Sequence, residues 1–576
     1  MTRTLDVESL LTADAEATAI SRHWDEWSGY RQRWMEERRE LRNYIYATDT
    51  RTTSNRTLPW SNSTTTPKLT QIYDNLKANY TATLFPNSKW LEWKASTAMG
   101  AAPKKAKAVR SYMKSKLAES DFEGTVDKLV DDWILTGNCF ATIEWVDDTT
   151  TLPDGSIVEG YVGPKAVRIS PFDIVFDPTA ADFESTPKIV RSLKSLGEVH
   201  RMVEDGQIDA ELLQRILHNR SEVANASQPQ KSDGYIADGF GSIENYYNSS
   251  VVEFLTFYGD LFDKHSGNLQ ANRVIQIIDR AYVVSNEVQP SWLGKAPIFH
   301  SGWRNRPDNL YAMGPLDNLV GMQYRLDHLE NLKADVFDQI ALPMLKVRGD
   351  VQDFEYSPGG RVYLGEEGDV APLVPDTTAL QADFQISTIE QKMEDMAGAP
   401  RNAMGIRTAG EKTAFEVQTL ESAASRIFTH KTSKFEKEFL ERLLNAMFEA
   451  ARRNMIRKET VLDESSDGMI TRFLTVTRED ITERGRLRPM GARHFAERAQ
   501  RVQTLNSLVQ VKAQDPSIGV HLSGKVIARI YAEELREEDL FAENIGIDEA
   551  NETQAAQEDA MADAEESRMI KQENGL

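Results

Sequence analysis

Two segments carry residue types that could do chemistry. The first is Gly405-Ile406-Arg407-Thr408-Ala409-Gly410-Glu411-Lys412-Thr413. A phosphate-cradling loop has four residues between its glycines and then Gly-Lys-Ser/Thr without a gap. Here Glu411 is inserted before Lys412, which puts a carboxylate where phosphate oxygens would sit. The preceding residues, APRNAM, do not form the hydrophobic strand that such a loop requires. The second is Pro375-Asp376 followed by Glu390-Gln391-Lys392, the residue order of a nuclease metal site. That chemistry needs its Glu and Lys on one face of a strand, where i and i+2 coincide. Glu390 and Lys392 fall in a helical stretch, where i and i+2 diverge. The nine His residues are scattered, with no pair at helical metal-binding spacing, and the single Cys139 allows no disulfide within the chain. No Ser/His/Asp set is defined by spacing. The expectation is therefore a protein that is not an enzyme and holds no cofactor and no metal.

The elements that would position any site are clearer than the site. A chain of 576 residues with net charge -22 and 40% hydrophobic residues predicts two to four folded packing units. A strongly acidic chain is unlike a protein that coats DNA tightly, because such binders present basic surfaces. The N-terminus has no signal-type apolar run, and no apolar stretch is long enough to span a membrane.

Residues 15–46 read as a long helix, in which Trp24, Trp27, Tyr30 (with Arg31), Trp34 and Leu41 recur at helical steps as a core face. A Thr/Ser/Asn-rich loop leads to a helix from Lys68 that stops at Pro86, then helices over 103–118 and 120–136. After Gly137 the period changes to that of a strand in NCFATIEWV. Strands continue in GPKAVRISPFDIVFDP, VVEFLTFYGDLFD and NRVIQIIDRAYVV, with a polar loop around 225–250. A helix follows over residues 314–340. Leu319, Met322, Leu326, Leu329, Leu332 and Val336 mark its apolar side, with Asp317, Arg325, Asp327, Lys333 and Asp335 on other faces. Residues 342–375 lose that period and read as a small β module. A helix resumes at Gln381, a loop follows over 399–412, and the longest helix spans roughly 412–456. A short strand lies in GMITRFLTVTRED, and helices cover 491–514 and 523–537. The tail from residue 548 has nine acidic and two basic side chains. The fold class is α+β.

This order of elements, with its local wording, resembles the portal (head-to-tail connector) proteins of short-tailed bacteriophages. NLKANYTATLFPNSKWLEW is similar to that family's N-terminal helix, and ILTGNCFATIEW to its helix-to-strand passage. LDHLENLKADVFDQIALPMLKV is similar to the first stem helix and its exit into the clip. GIRTAGEKTAFEVQTLESAASRIFTHKTSKFEKEFLERLL resembles the tunnel loop followed by the long wing helix, which opens on Gly410-Glu411-Lys412-Thr413-Ala414. The polar loop around 225–250 and the acidic tail have no counterpart in the family.

The resemblance implies a division into wing (1–313), first stem helix (314–341), clip (342–380), second stem helix (381–397), tunnel loop (398–412), long helix and return to the wing (413–487), crown (488–547) and acidic tail (548–576). It implies a homo-oligomeric ring, usually a dodecamer, at one capsid vertex of the virion, assembled in the host cytoplasm. Double-stranded DNA would pass through it without sequence recognition. Its partners would be the major capsid protein and scaffold, the terminase packaging motor and tail adaptor proteins, with no membrane. Arg401, Asn402, Arg407 and Lys412 are expected nearest the DNA, and Arg325 and Lys333 on the channel face of the stem. The alternatives are a packaging-associated metal-dependent nuclease, or another structural virion subunit.

Overall fold

The computed structural model describes residues 4–7, 13–46, 64–86, 90–95, 103–151, 157–223, 251–289, 295–341, 345–349, 351–352, 363–364, 368–372, 377–397, 427–462, 473–482, 485–491 and 504–507, with a few single residues besides. The fold is α+β. The chain divides into two compact units, Met1–Thr81 with Lys116–Met455, and Ala82–Ser115 with Ile456–Leu576.

In the first unit, the sheet is built around β7 (Val251–Asp263). The order is β5 (Ile174–Phe176), β6 (Lys188–Ser195), β7, β8 (Leu269–Ile278) and β9 (Tyr282–Val288), all antiparallel. The short β1 (Leu5–Val7) pairs parallel with the last residues of β7. Both faces of this sheet are covered, which explains why β7 reads as a nearly continuous apolar run rather than an alternating one. Leu255, Phe257 and Leu261 of β7, with Ile275 and Ile277 of β8, pack against Ala17, Ile20, Trp24 and Trp27 of α1 (Ala13–Ile45). Val252, Phe254 and Ile278 turn the other way. They pack on α5 (Leu196–Glu204) and α6 (Ala210–Val223) through Val199, Leu212, Leu213 and Ile216. Ser195 and Glu198 start α5 with reciprocal capping hydrogen bonds, one of the strongest local signals for a helix start.

The expected aromatic face of α1 forms with one exchange. Tyr30 is 59% exposed, and Arg31 beside it is fully buried. The strand-like run NRVIQIIDRAYVV turns back on itself between β8 and β9. Asp279 and Arg280 both adopt positive φ, 51° and 59°. Their side chains hold this backbone in place of glycine, Asp279 against Arg220 at 3.1 Å and Arg280 against Glu253 at 2.8 Å.

Helix α2 (Lys68–Leu84) and helix α3 (Pro103–Glu119) begin and end where the periodicity places them. Helix α4 (Phe122–Leu135) buries Val126, Leu129 and Trp133 and ends at Thr136–Gly137. Gly137 has φ 76°, and a Cβ there would lie 2.4 Å from the Gly314 nitrogen, so no other residue fits this passage. The chain then enters β3 (Asn138–Thr151), the middle strand of a second sheet with β4 (Ile157–Ile169) and β10 (Ile298–Gly302). Asn138 ties this corner. Its amide donates to Thr136 O and Ala312 O, and its carbonyl oxygen accepts from Ala312 N, all at 3.0–3.1 Å. A hairpin of β11 (Arg304–Arg306) and β12 (Asn309–Met313) follows.

Helix α7 (Val320–Ala341) leads into a nested antiparallel hairpin. The outer pair is β13 (Leu345–Arg348) with β16 (Asp369–Pro372), the inner pair β14 (Val351–Gln352) with β15 (Tyr363–Leu364). Helix α8 (Asp383–Ala397) returns along α7. Residues 427–435 are helical, pass through a π-turn at Glu436–Leu440, and continue as α9 (Glu441–Asn454). This is the described part of the long helix expected over 412–456.

In the second unit, β2 (Leu91–Ala95) pairs antiparallel with β19 (Gly485–Pro489), and β17 (Glu459–Leu462) with β18 (Phe473–Val476). The β17–β18 hairpin includes part of the strand expected in GMITRFLTVTRED. Phe85 meets Trp90 edge-on at 4.9 Å beside β2.

Candidate functional site

The helix pair α7/α8 is held by a small apolar seam of Leu326, Leu329 and Ile386, flanked by Ala382 and Ile389. Next to that seam is an arrangement that the apolar periodicity did not reveal. Gln323, Asp327 and Asn331 recur every four residues and are at most 1% exposed. They are buried because they serve the backbone of the extended segment leading into α2. Asn331 Oδ1 accepts from Thr64 N at 2.9 Å and from Thr64 Oγ1 at 3.0 Å, while its Nδ2 donates to Thr64 O at 2.9 Å. Asp327 Oδ1 accepts from Thr66 N at 3.0 Å. Gln323 Nε2 donates to Thr66 O at 2.6 Å and to Asp327 Oδ1 at 2.8 Å, and Gln323 Oε1 accepts from Leu69 N at 3.3 Å.

One helix face thus presents alternate donors and acceptors, as a strand edge would, to a strap formed by residues 64–69. Lys68 of the same strap reaches α8, 2.6 Å from Glu394 and 4.0 Å from Glu390. Both helices of the pair are anchored on the start of α2. The periodicity puts Leu332 on the apolar side of the helix and Asp327 on another face; the structure buries Asp327 and leaves Leu332 38% exposed. The available signal was the Gln323/Asp327/Asn331 spacing of four, which marks one helical stripe.

Asp327 is the electrostatic weak point of this stripe. Burial pushes its carboxyl up to about 6, against the hydrogen bonds from Thr66 N–H and the Gln323 amide. A carboxyl raised in the folded state binds its proton there before it does in the unfolded chain. Its ionisation therefore costs stability as pH rises from about 4 to about 6, and the cost is complete above that window. The effect is roughly 2–3 kcal/mol. Wild-type protein should gain stability relative to Asp327→Asn as pH falls from 7 to 5. Thermal unfolding of both proteins across that range checks this, and parallel profiles would exclude the stripe as the source.

Of the residues expected on the channel face, Arg325 is exposed on α7. Lys333 forms an ion pair with Asp383 on α8, and its other neighbour, Glu330, is 3.7 Å away. The pair with Asp383 raises the Lys333 ammonium above its ordinary range. Arg401, Asn402, Arg407 and Lys412 lie outside the described residues. Asp317, expected on a charged helix face, precedes the helix. It is buried against Arg38 and accepts from Gly314 N at 2.8 Å.

Of the two enzyme-like segments, residues 405–413 lie outside the described residues. Glu390 and Lys392 both lie in α8, on diverging faces, and Asp376 is outside the described residues. Among the described residues no group of three or more His, Cys, Asp or Glu is placed to hold a metal. Cys139 is fully buried with Sγ 3.6 Å from Ser301 O, and burial holds its thiol well above the ordinary range. Among the described residues no helix is long and apolar enough to cross a membrane. No family model and no curated protein matches the chain.

Proposed function

We propose that this chain is the subunit of a phage portal, a closed ring at one capsid vertex through which DNA is packaged, retained and ejected. The observation that carries this reading is the α7–hairpin–α8 unit. A helix pair with a narrow internal seam encloses a nested β hairpin and is anchored at its other end by the 64–69 strap. The Lys333–Asp383 pair marks the end of the helices nearest the hairpin. Phe337 and Ile340 of α7 and Phe384 of α8 lie toward that end, 55%, 44% and 81% exposed. Large apolar side chains exposed toward one end of a helix pair favour burial against another protein. A neighbouring copy of the same pair, offering a different face, would bury them and close a ring.

In this reading α7 and α8 are the stem and residues 342–380 the clip that docks the packaging motor and later the tail. The loop containing Arg401, Asn402, Arg407 and Lys412 is the element nearest DNA. A few phosphate contacts per subunit from such a loop would grip a sliding duplex transiently, and the acidic character of the rest of the chain keeps it from sticking. The capsid protein and scaffold would contact the wing, and the protein would reside in the virion. Mass and images of the purified full chain test the proposal: closed rings support it, and failure to form rings alone or on a capsid opposes it.

A further inference from the structure

We infer that the hairpin Arg304–Met313 and the helix over 427–435 together form a phosphate-binding seat, distinct from the helix pair and independent of ring formation. The chain has a net charge of -22, yet Arg304, Lys431 and Lys434 gather here. Arg304 and Lys431 both stand over the indole of Trp303, 5.2 Å and 4.3 Å from its centroid. Lys431 donates to Trp303 O, and Lys434 donates to Gly302 O at 2.9 Å, so both ammonium groups are fixed against the base of the hairpin. Trp303 is itself fixed, 2% exposed, with Nε1 donating to Tyr80 OH at 3.2 Å. Arg306 lies two residues on, exposed like Arg304, and lines a cavity of about 280 Å³ with Lys295, Asn305, His300 and Arg442.

These charges repel one another. Lys431 is driven down to about 8 by burial and then by Lys434 and Arg304. His300 is kept neutral by burial, with Lys434 and Lys188 adding to the effect. The acidic neighbours offset only part of this. Glu438 is 3.8 Å from Lys434, Asp308 sits in the turn of the hairpin, Asp317 acts on Arg304, Asp182 lines the cavity with Arg306, and Glu184 in the cavity wall is taken up by Lys295 and Arg442. A bound oxyanion would relieve the repulsion. The exposed Arg304 guanidinium with two ammonium groups matches a phosphate, the Arg side chain for paired contacts and the Lys side chains as point charges, while Arg306 donates to Tyr311 O at 3.1 Å. The ligand class is a phosphate group, carried by a nucleic-acid backbone or by a free phosphate compound.

The test uses the full chain with two probes, inorganic pyrophosphate by calorimetry and a labelled 20-base-pair duplex by anisotropy. Arg304→Gln changes an exposed side chain, and Arg304→Gln with Lys431→Gln removes both charges over the indole; Arg201→Gln on α5 is the control. The expected result is at least a tenfold loss of affinity in the double variant, a smaller loss in Arg304→Gln, and no change in the control. Loss of duplex binding, with a salt slope lower by about 2, assigns the seat to backbone phosphates. Loss for pyrophosphate alone assigns it to a free phosphate compound, and either outcome upholds the seat. Absence of binding of both probes to wild type, or equal affinity in wild type and the well-folded Arg304→Gln protein, overturns it.

Discussion

Replacing Arg31 by methionine should destabilise the first unit by about 4 kcal/mol, the largest effect expected from a single substitution outside the apolar core. Arg31 is fully buried on α1. Its Nη1 donates to Pro171 O at 3.1 Å and Ile174 O at 2.7 Å, and its Nη2 to Phe172 O at 2.8 Å. These carbonyls belong to the turn between β4 and β5 and to the first residue of β5, so one side chain fixes the helix to the connection between the two sheets. The guanidinium also lies 5.6 Å from the ring of Trp24. Methionine would fill much of the space, but it has no donor. Each carbonyl would lose a charge-assisted bond of about 1.5–3 kcal/mol, and relief of guanidinium desolvation would return part of the total. Denaturant unfolding of Arg31→Met against wild type checks this. A loss under about 1 kcal/mol would mean that the turn is readily rehydrated and that Arg31 does not pin it.

Asn331→Leu should have the second largest effect, about 3 kcal/mol, and its signature is local. Leucine preserves volume and suits the interior of a helix, so α7 itself should persist. What disappears is the match to both backbone groups of Thr64 and its hydroxyl. The N–H and C=O of Thr64 then lose those partners, and the strap detaches from that end. Exchange of the Thr64 and Thr66 amides should quicken by about ten- to hundredfold, while amides in β7 exchange as before. Unchanged exchange at Thr64 would show that the strap is held by something other than the polar stripe.

These two positions also show where the sequence was readable and where it was not. Helical period identified the buried face of α1 through Trp24, Trp27 and Trp34, and the seam of α7 through Leu326 and Leu329. The change of period after Gly137 marked the start of β3, and the loss of period after Ala341 marked the inserted hairpin. In each case burial follows from hydrophobicity along one element, which a local pattern can record. Arg31 and Asn331 are buried for a different reason. Their partners are backbone groups 140 and 267 residues away, and a local pattern carries no trace of them.

The same holds for the turn between β8 and β9. Asp279 and Arg280 take a backbone conformation usually left to glycine or asparagine because Arg220, Glu253 and Asp25 hold their side chains. The two-sided cover of β7 was legible only as an apolar run, since the run does not say what lies on each face. Arg325 and Lys333 both lie on α7, within the stretch the periodicity marks as helical. The pairing of Lys333 with Asp383 depended on how α8 packs, which spacing within α7 does not contain.

In the proposed function, copies of this chain close into a ring around a channel. Mass measurement and electron microscopy of the purified full-length protein test it most directly. The expected result is particles near twelve times the chain mass of 65.0 kDa, ring-shaped in projection, with a central opening about the width of duplex DNA. A monodisperse monomer that also fails to form rings in the presence of capsid and scaffold proteins would contradict it.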